Sequence, residues 1–500
     1  MPARARGSRM PLTVRGRRGG ASNSDPMKTI RPLPPLSAAA LAALLLLSLT
    51  PAASGRAGAA RAAAAGEGTR HFSPPVALDS FAPIRTLNGE SSGEPTIDVD
   101  RSGSIFVAGT YGVGGASPVW RSEDGVTFSE LETPGHVREY LIGAEGDVAV
   151  DDAGNVYFAD TFLAGVMLTK WSDGGDTWEF TRPIAPGGPG VFDRPWLTWT
   201  EKGLFLYVNF GSTIDVFRST DDGQTWTAVG PLTWRGSADG QPYFPGHMSA
   251  DAGTGALVVA GMIRDYERGE TFLAATYSPD AGETWREAVV ASWPQRPGGG
   301  ISPIFPGMTA MDGAGTAYVT WSEYDFRGCD VYYSYSSDAG RSWSDPIRLS
   351  RRPGCATFPT LDASDRGDLA AAWYETPTTQ DNTPGRRTTV PSDYASRYGG
   401  FALPLLSYQD DVDGDAEWFV ETAAVERADT RRPLVTRARA TRDPILTGAL
   451  ERRLIDFFEV ALGRDGRLHV AFGEDVDGDA APRSWYVGSR KSLFGDRRKR

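Results

Sequence analysis

The chain has 500 residues, among them 59 glycines and 35 prolines, with 11% aromatic residues and a formal net charge of −12. Residues 1–66 hold ten basic residues against the single acid Asp25, so residues 67–500 carry −21. A body this acidic argues against nucleic acid and anionic membrane surfaces as partners, and the glycine-rich, aromatic composition suits an all-β, turn-rich fold.

Residues 1–26 are basic, and either Met1 or Met27 fits as the start. Lys28 and Arg31 precede an apolar run, Ala38–Leu49, and the small residues Pro51-Ala52-Ala53-Ser54. A basic start, a short apolar core and small residues for cleavage predict a secretory signal peptide around 27–54. The run is shorter than the ~20 residues a membrane-spanning helix needs, so no stable membrane span is expected. The Ala-rich stretch to residue 66 reads as linker. A single domain over 67–491 and a basic tail, 492–500, follow.

Five copies of one short signature come next: RSEDGVTF (121–128), WSDGGDTW (171–178), STDDGQTW (219–226), SPDAGETW (278–285) and SSDAGRSW (336–343). Their shared glycines, Gly125, Gly175, Gly223, Gly282 and Gly340, are spaced 50, 48, 59 and 58 residues apart. A fixed period of this size marks a repeat architecture. Each unit runs through short β-rich stretches such as GDVAV (146–150), VYFAD (156–160) and VMLTK (166–170) before reaching the signature. Short runs rich in Val, Tyr, Thr and Phe between Asp/Gly turns are strands. Four strands per unit, repeated radially, predict a β-propeller.

The signature Ser-x-Asp-x-Gly-x-Thr-Trp suits the turn between the third and fourth strands. Asp221, Asp280 and Asp338 are placed to accept the turn's own amides. The glycines supply φ > 0, and Trp178, Trp226, Trp285 and Trp343 bury a ring against a neighbour. In the first copy Glu123 stands at the place expected for the aspartate and Phe128 replaces Trp. These corners read as structural, not as a site.

First- and second-strand pairs at 95–110, 147–160, 194–209, 245–262, 305–322, 358–374 and 456–472 predict seven blades, with six or eight as alternatives. Residues 377–416, rich in Pro, Thr and Asp, interrupt the sixth; a long insertion of this kind lies outside the core. The last blade lacks its final strand. Residues 82–88 are expected to supply it, since 82–99 resembles 345–362. The two cysteines, Cys329 and Cys355, fall in loops opening onto one face, and export favours a Cys329–Cys355 disulfide.

Turns after first strands share a face with the signature corners, so the opposite face, at the channel mouth, is the expected site. Second strands end there in Asp160, Asp265, Glu323–Asp325, Glu375 and Glu474–Asp475; first strands begin near Glu94, Asp147 and Asp193–Arg194. Asp160, Asp193, Arg194, Asp265, Glu323 and Glu375 are the catalytic candidates. Tyr111, Trp196, Tyr243, Tyr324 and Tyr374 are the aromatic ligand-binding candidates. Carboxyl pairs with aromatic platforms suit glycan chemistry; a solvated acidic rim is the plain alternative. Asp-Val-Asp-Gly-Asp-Ala occurs twice, making Asp411, Asp413 and Asp415, and Asp475, Asp477 and Asp479, candidate Ca²⁺ ligands. The four histidines, His71, His136, His247 and His469, show no metal-ligand spacing.

With its corners quoted above, the chain resembles the Asp-box, bacterial neuraminidase-repeat family of sialidase-like propellers over residues 94–491. That resemblance implies a propeller and a glycan-directed site. The family's aromatic-Arg-Ile-Pro motif, whose arginine clamps a substrate carboxylate, is matched here by Ser92-Gly93-Glu94-Pro95, with Gly93 at the arginine position. Arg138, Arg194, Arg264 and Arg327 are the arginines available to replace it. The leading reading is a secreted propeller binding a glycan or another extracellular ligand at an acidic mouth. A glycoside hydrolase such as an exo-sialidase and a protein-binding scaffold are the alternatives.

Overall fold

A computed structural model describes residues 68–78 and most of 93–495; outside it lie residues 79–92, the loops 111–116, 135–144, 185–191, 233–245, 295–299, 302–306, 378–415 and 476–481, and several shorter gaps. The leader predicted at 27–54 falls outside the described residues.

The described chain is all-β. Five sheets have four strands each, wound consecutively. The first unit is Gly93–Val99, Ile105–Thr110, Val119–Ser122 and Ser129–Glu130. The second (146–184), third (192–228) and fourth (249–294) repeat this order, each strand pairing antiparallel with the next. A ten-stranded sheet carries two further units, 308–348 and 354–439, joined by a short parallel pairing of Gly328 and Cys329 with Gly354 and Cys355. The Cys329–Cys355 disulfide crosses that seam. The seventh unit holds Glu459–Leu462, Leu468–Glu474 and Arg483–Gly488. All seven predicted first-and-second-strand pairs are present, and the insertion joins Asp368–Thr376 to Glu417–Glu426, which pair directly.

The seventh unit's fourth strand is Val76–Ala77, with Val76 opposite Tyr486. The strand expected from 82–88 therefore comes from further upstream, and 82–88 lie outside the described residues. Phe72 adds a bridge to Ser489. Removing residues 68–78 is expected to leave Arg483–Gly488 as an unpaired edge and to lower the urea midpoint of unfolding; an unchanged midpoint would contradict this role.

The signature corners behave as braces. In the third unit Ser219 Oγ donates to Asp221 Oδ1 (2.8 Å), Thr225 N–H donates to the same oxygen (2.8 Å) and Thr225 Oγ1 to Asp221 Oδ2 (2.6 Å). Asp280 and Asp338 repeat the pattern. Although some burial works against it, these hydrogen bonds hold the Asp338 carboxyl down at about 2. The first corner is one residue shorter, and Asp124, not the Glu123 position, takes the bonds from Val126 and Thr127 N–H, each 2.8 Å. The glycines do more than tolerate positive φ. A Cβ on Gly223 (φ +82) would come within 2.2 Å of Leu168 in the preceding unit, so the corner packs backbone against its neighbour. A Cβ on Gly125 (φ +69) would meet the Tyr486 hydroxyl at 3.0 Å, placing the first unit against the seventh in the same way.

Innermost strands, or the turns that follow them, are tied to the next unit by a hydrogen bond at every step. Asp98 Oδ2 accepts from Val150 N–H (2.7 Å), Asp147 Oδ2 from Leu197 N–H (2.7 Å) and Asp312 Oδ2 from Gly367 N–H (2.9 Å). Asp362 Oδ2 accepts from Leu462 N–H (2.6 Å), and Glu459 Oε2 from Ile97 N–H (3.0 Å), which returns to the first unit. Glu201 N–H to Ala252 O (2.7 Å) and Thr309 Oγ1 to His247 O (2.6 Å) fill the two remaining steps. A backbone amide facing a buried carboxyl is a strong use of that amide, ~1.5–3 kcal/mol where the acid is charged. Between the units lie layers of buried aliphatic and aromatic side chains, including Trp120, Trp196, Trp321 and Trp373.

Candidate functional site

Four carboxyl groups and one imidazole meet where these first strands converge. Asp98, Asp147, Asp362 and Glu459 each spend one oxygen on the amide of the next unit. His247, from the segment before the short strand Ser249–Ala250, sets Nε2 3.3 Å from Asp147 Oδ2 and 4.0 Å from Glu459 Oε1. Its ring meets the Trp196 edge at 5.0 Å, and Trp196 rests on Phe457 at 4.7 Å. A cavity of about 750 Å³ opens over these groups, with Trp199, Ser249 and Met308 also in its wall. At its rim Asp152 pairs with Arg101 and stands 4.0 Å from Arg464.

Burial dominates the electrostatics. It pushes the Glu459 carboxyl up to about 8, helped by the charge of Asp147. It raises Asp98 to about 7 against the pull of the Val150 and Val99 amides, and Asp362 to about 6 against those of Leu462 and Ala363. Burial pulls His247 down, but the hydrogen bond to Asp147 and the charge of Glu459 outweigh it, and the imidazole ends above its ordinary value. Desolvation thus keeps these three carboxyls protonated to higher pH than free carboxyls.

This cavity lies at the end carrying the turns after the first strands, such as Asp100–Arg101, Asp151–Asp152 and Asp312–Gly313. The opposite mouth was expected to hold the site, and most of its loops lie outside the described residues. None of the signature corners lines the cavity.

The catalytic candidates come from five units, with Asp193 and Arg194 on one strand. Asp160 is buried at the end of Val156–Phe162, with its pKa driven well upward by burial. Asp265 is buried at the end of Leu257–Asp265. Glu323 Oε1 accepts the Trp321 indole N–H (2.9 Å), and Glu375 Oε2 that of Trp373 (2.7 Å). A Trp-x-Glu stretch on one strand face puts the carboxylate beside the indole in both cases, and burial pushes the Glu375 carboxyl up to about 7. Arg194 is buried at positive φ (54°) beside a bulge, its N–H donating to Glu145 Oε2 at 2.6 Å. The side chain of Asp193 lies outside the described residues.

Among the aromatic candidates, Trp196 and Tyr374 are core residues, not platforms. Trp196 is 1% exposed, and Tyr374 is fully buried and stacked on Phe458 at 4.2 Å. Tyr111, Tyr243 and the Tyr324 side chain lie outside the described residues. So do Asp411, Asp413, Asp415, Asp477 and Asp479; Asp475 is buried and its N–H bonds Ile445 O (2.9 Å).

Asp98, His247, Asp362, Glu459 and Trp199 were not singled out from sequence. A signal for the acids was present. Pro-Thr-Ile-Asp (95–98) matches Pro-Thr-Leu-Asp (359–362), and Asp-Val-Ala-Val (147–150) matches Glu-Val-Ala-Leu (459–462). Repeated acids at inward positions of first strands are a pattern a repeat alignment can find. His247 left no such trace, since its partners stand 100 and 212 residues away.

No protein-family model and no curated protein sequence matches the chain. Solved structures similar to it include a Dyadobacter fermentans protein of unknown function, at 12% identity and TM-score 0.43 over 82% of this chain and all of that one. A Penicillium chrysogenum α-L-arabinanase complexed with arabinobiose has 13% identity and TM-score 0.38 over 85% and 98% of the two chains. A Hadza microbial sialidase has 15% identity and TM-score 0.38 over 57% and 64%. At these scores the likeness is coarse and says nothing of the chemistry in the cavity.

Proposed function

We propose that the chain is a seven-bladed, closed β-propeller that binds a polyhydroxylated ligand, a glycan, in the acid-walled cavity at its centre. Closure is supported by the hydrogen bonds running from each unit to the next and from the seventh to the first, by Gly125 packing on Tyr486, and by Val76–Ala77 completing the last unit. One observation carries the ligand class: a 750 Å³ cavity walled by Asp98, Asp362, His247 and Ser249 with Trp199 on one side. Carboxyl oxygens take up sugar hydroxyls as acceptors, and an indole face takes up a pyranose face.

Binding without turnover is favoured. Among the acids proposed for catalysis, Glu323 and Glu375 accept indole N–H groups, and the channel acids brace the ring. A protein-binding role draws no support from the described surface. Its exposed large hydrophobics, Val126, Val289 and Leu434, sit on three different units, not in one apolar patch.

A glycan array followed by calorimetry on the hits tests the reading. Trp199→Ala is expected to weaken binding by about tenfold, on the ~1–3 kcal/mol scale of one aromatic stacking contact. Absence of any glycan hit, or hits indifferent to Trp199→Ala, would remove it.

A further inference from the structure

Asp147, His247 and Glu459 come from three units, and one ligand atom from each lies within 4.8 Å of the others. An ordinary ion pair accounts for the 3.3 Å contact between His247 and Asp147. It does not account for the placing of Glu459 Oε1, since the Ile97 amide takes the other oxygen, Oε2. Glu459 is held 4.0 Å from the same nitrogen, too far for a hydrogen bond, next to a like-charged group and largely out of water.

The three residues are tied to the scaffold, Asp147 through the same Oδ2 that faces His247, Glu459 through Oε2 and His247 through its backbone carbonyl. Leu197 N–H fixes Asp147 at 2.7 Å, and Ile97 N–H fixes Glu459 at 3.0 Å. Thr309 Oγ1 fixes the His247 carbonyl at 2.6 Å, and the Trp196 edge sets the ring plane. Metal ligands are oriented by outer partners of this kind. Ligands about 2.0–2.2 Å from one ion sit roughly 3–3.6 Å from each other, so a rotamer adjustment of Glu459 closes the set. The cavity over the three groups leaves room for solvent or ligand at the remaining positions, as in zinc sites with three protein ligands.

We propose that Asp147, His247 and Glu459 form a binding site for one first-row divalent cation of the zinc or manganese class, facing the central cavity. One imidazole nitrogen with two carboxylates suits such ions; Ca²⁺, which takes six to eight oxygens, fits the set poorly. Any protons on the ligands leave to buffer on binding, since ligands must be deprotonated. Asp98 and Asp362, in the same cavity, add negative charge around the ion. This site does not depend on the glycan reading.

The test uses chelator-treated full-length protein without any glycan. Calorimetry with ZnCl₂ and with MnCl₂ is expected to show one site that Glu459→Gln and His247→Ala each weaken by at least about 100-fold, the upper scale for disturbed metal sites. Zinc-soaked crystals of the unmutated protein supply a readout free of folding defects, with an anomalous peak expected between Asp147, His247 and Glu459. Failure to bind either ion, preference for CaCl₂, affinity unchanged in both variants, or anomalous density found only elsewhere would overturn the proposal.

Discussion

Metal-stripped protein is expected to be more stable at pH 5.5 than at pH 8.5. Folding raises Asp362 to about 6, Asp98 to about 7 and Glu459 to about 8, and it also raises His247. Between the unfolded carboxyl range and these values the folded chain holds more protons than the unfolded one, so stability falls as pH rises. The contribution is fully present below about pH 4 and is lost as pH climbs through 6, 7 and 8. One unit of displacement corresponds to ~1.4 kcal/mol; because the groups share charge, a combined loss of a few kcal/mol is the expected scale. The corner aspartates act in the opposite sense, but Asp338, held at about 2, matters only below the carboxyl range. Glu459→Gln keeps an acceptor for the Ile97 amide and cannot ionise. It is therefore expected to raise the melting temperature at pH 8.5 and to flatten the profile. Thermal melts across this range check both; a profile rising with pH, or a glutamine variant less stable at pH 8.5, would contradict the assignment of burial as the cause.

Loss of the Cys329–Cys355 bridge is expected to cost about 3 kcal/mol, the chain-entropy value for a loop of its size. Its cysteines are 26 residues apart. Both are buried, and they join the fifth and sixth units at their short parallel pairing. A double Cys329→Ala, Cys355→Ala variant should unfold at a lower urea concentration than the oxidised protein, and reductant should move the unmutated protein the same way. Equal midpoints in all three samples would mean that the seam is held by its backbone pairing alone.

The architecture was legible because a propeller repeats its local instructions. Serine, aspartate, glycine and tryptophan at fixed offsets define a turn through contacts within eight residues, and Asp221, Asp280 and Asp338 make the bonds expected of them. The seven strand pairs were legible for the same reason, as β-rich runs between Asp/Gly turns. Contacts stayed hidden where residue identity alone was read. Glu375 and Glu323 read as rim acids, and the structure adds that each accepts an indole N–H two residues away. Tyr374 and Trp196 looked like platforms, yet their rings fill gaps between units.

By itself, then, the sequence determined the period, the strand-rich grammar, the bracing corners and the cysteine pair, because all of these rest on short-range chemistry or on few candidates. Only the tertiary structure decided which strand completes the last unit, which end holds the cavity, and that His247 meets Asp147 and Glu459. Those outcomes depend on how inward-facing positions from distant units converge, and no local spacing records the distance between such units.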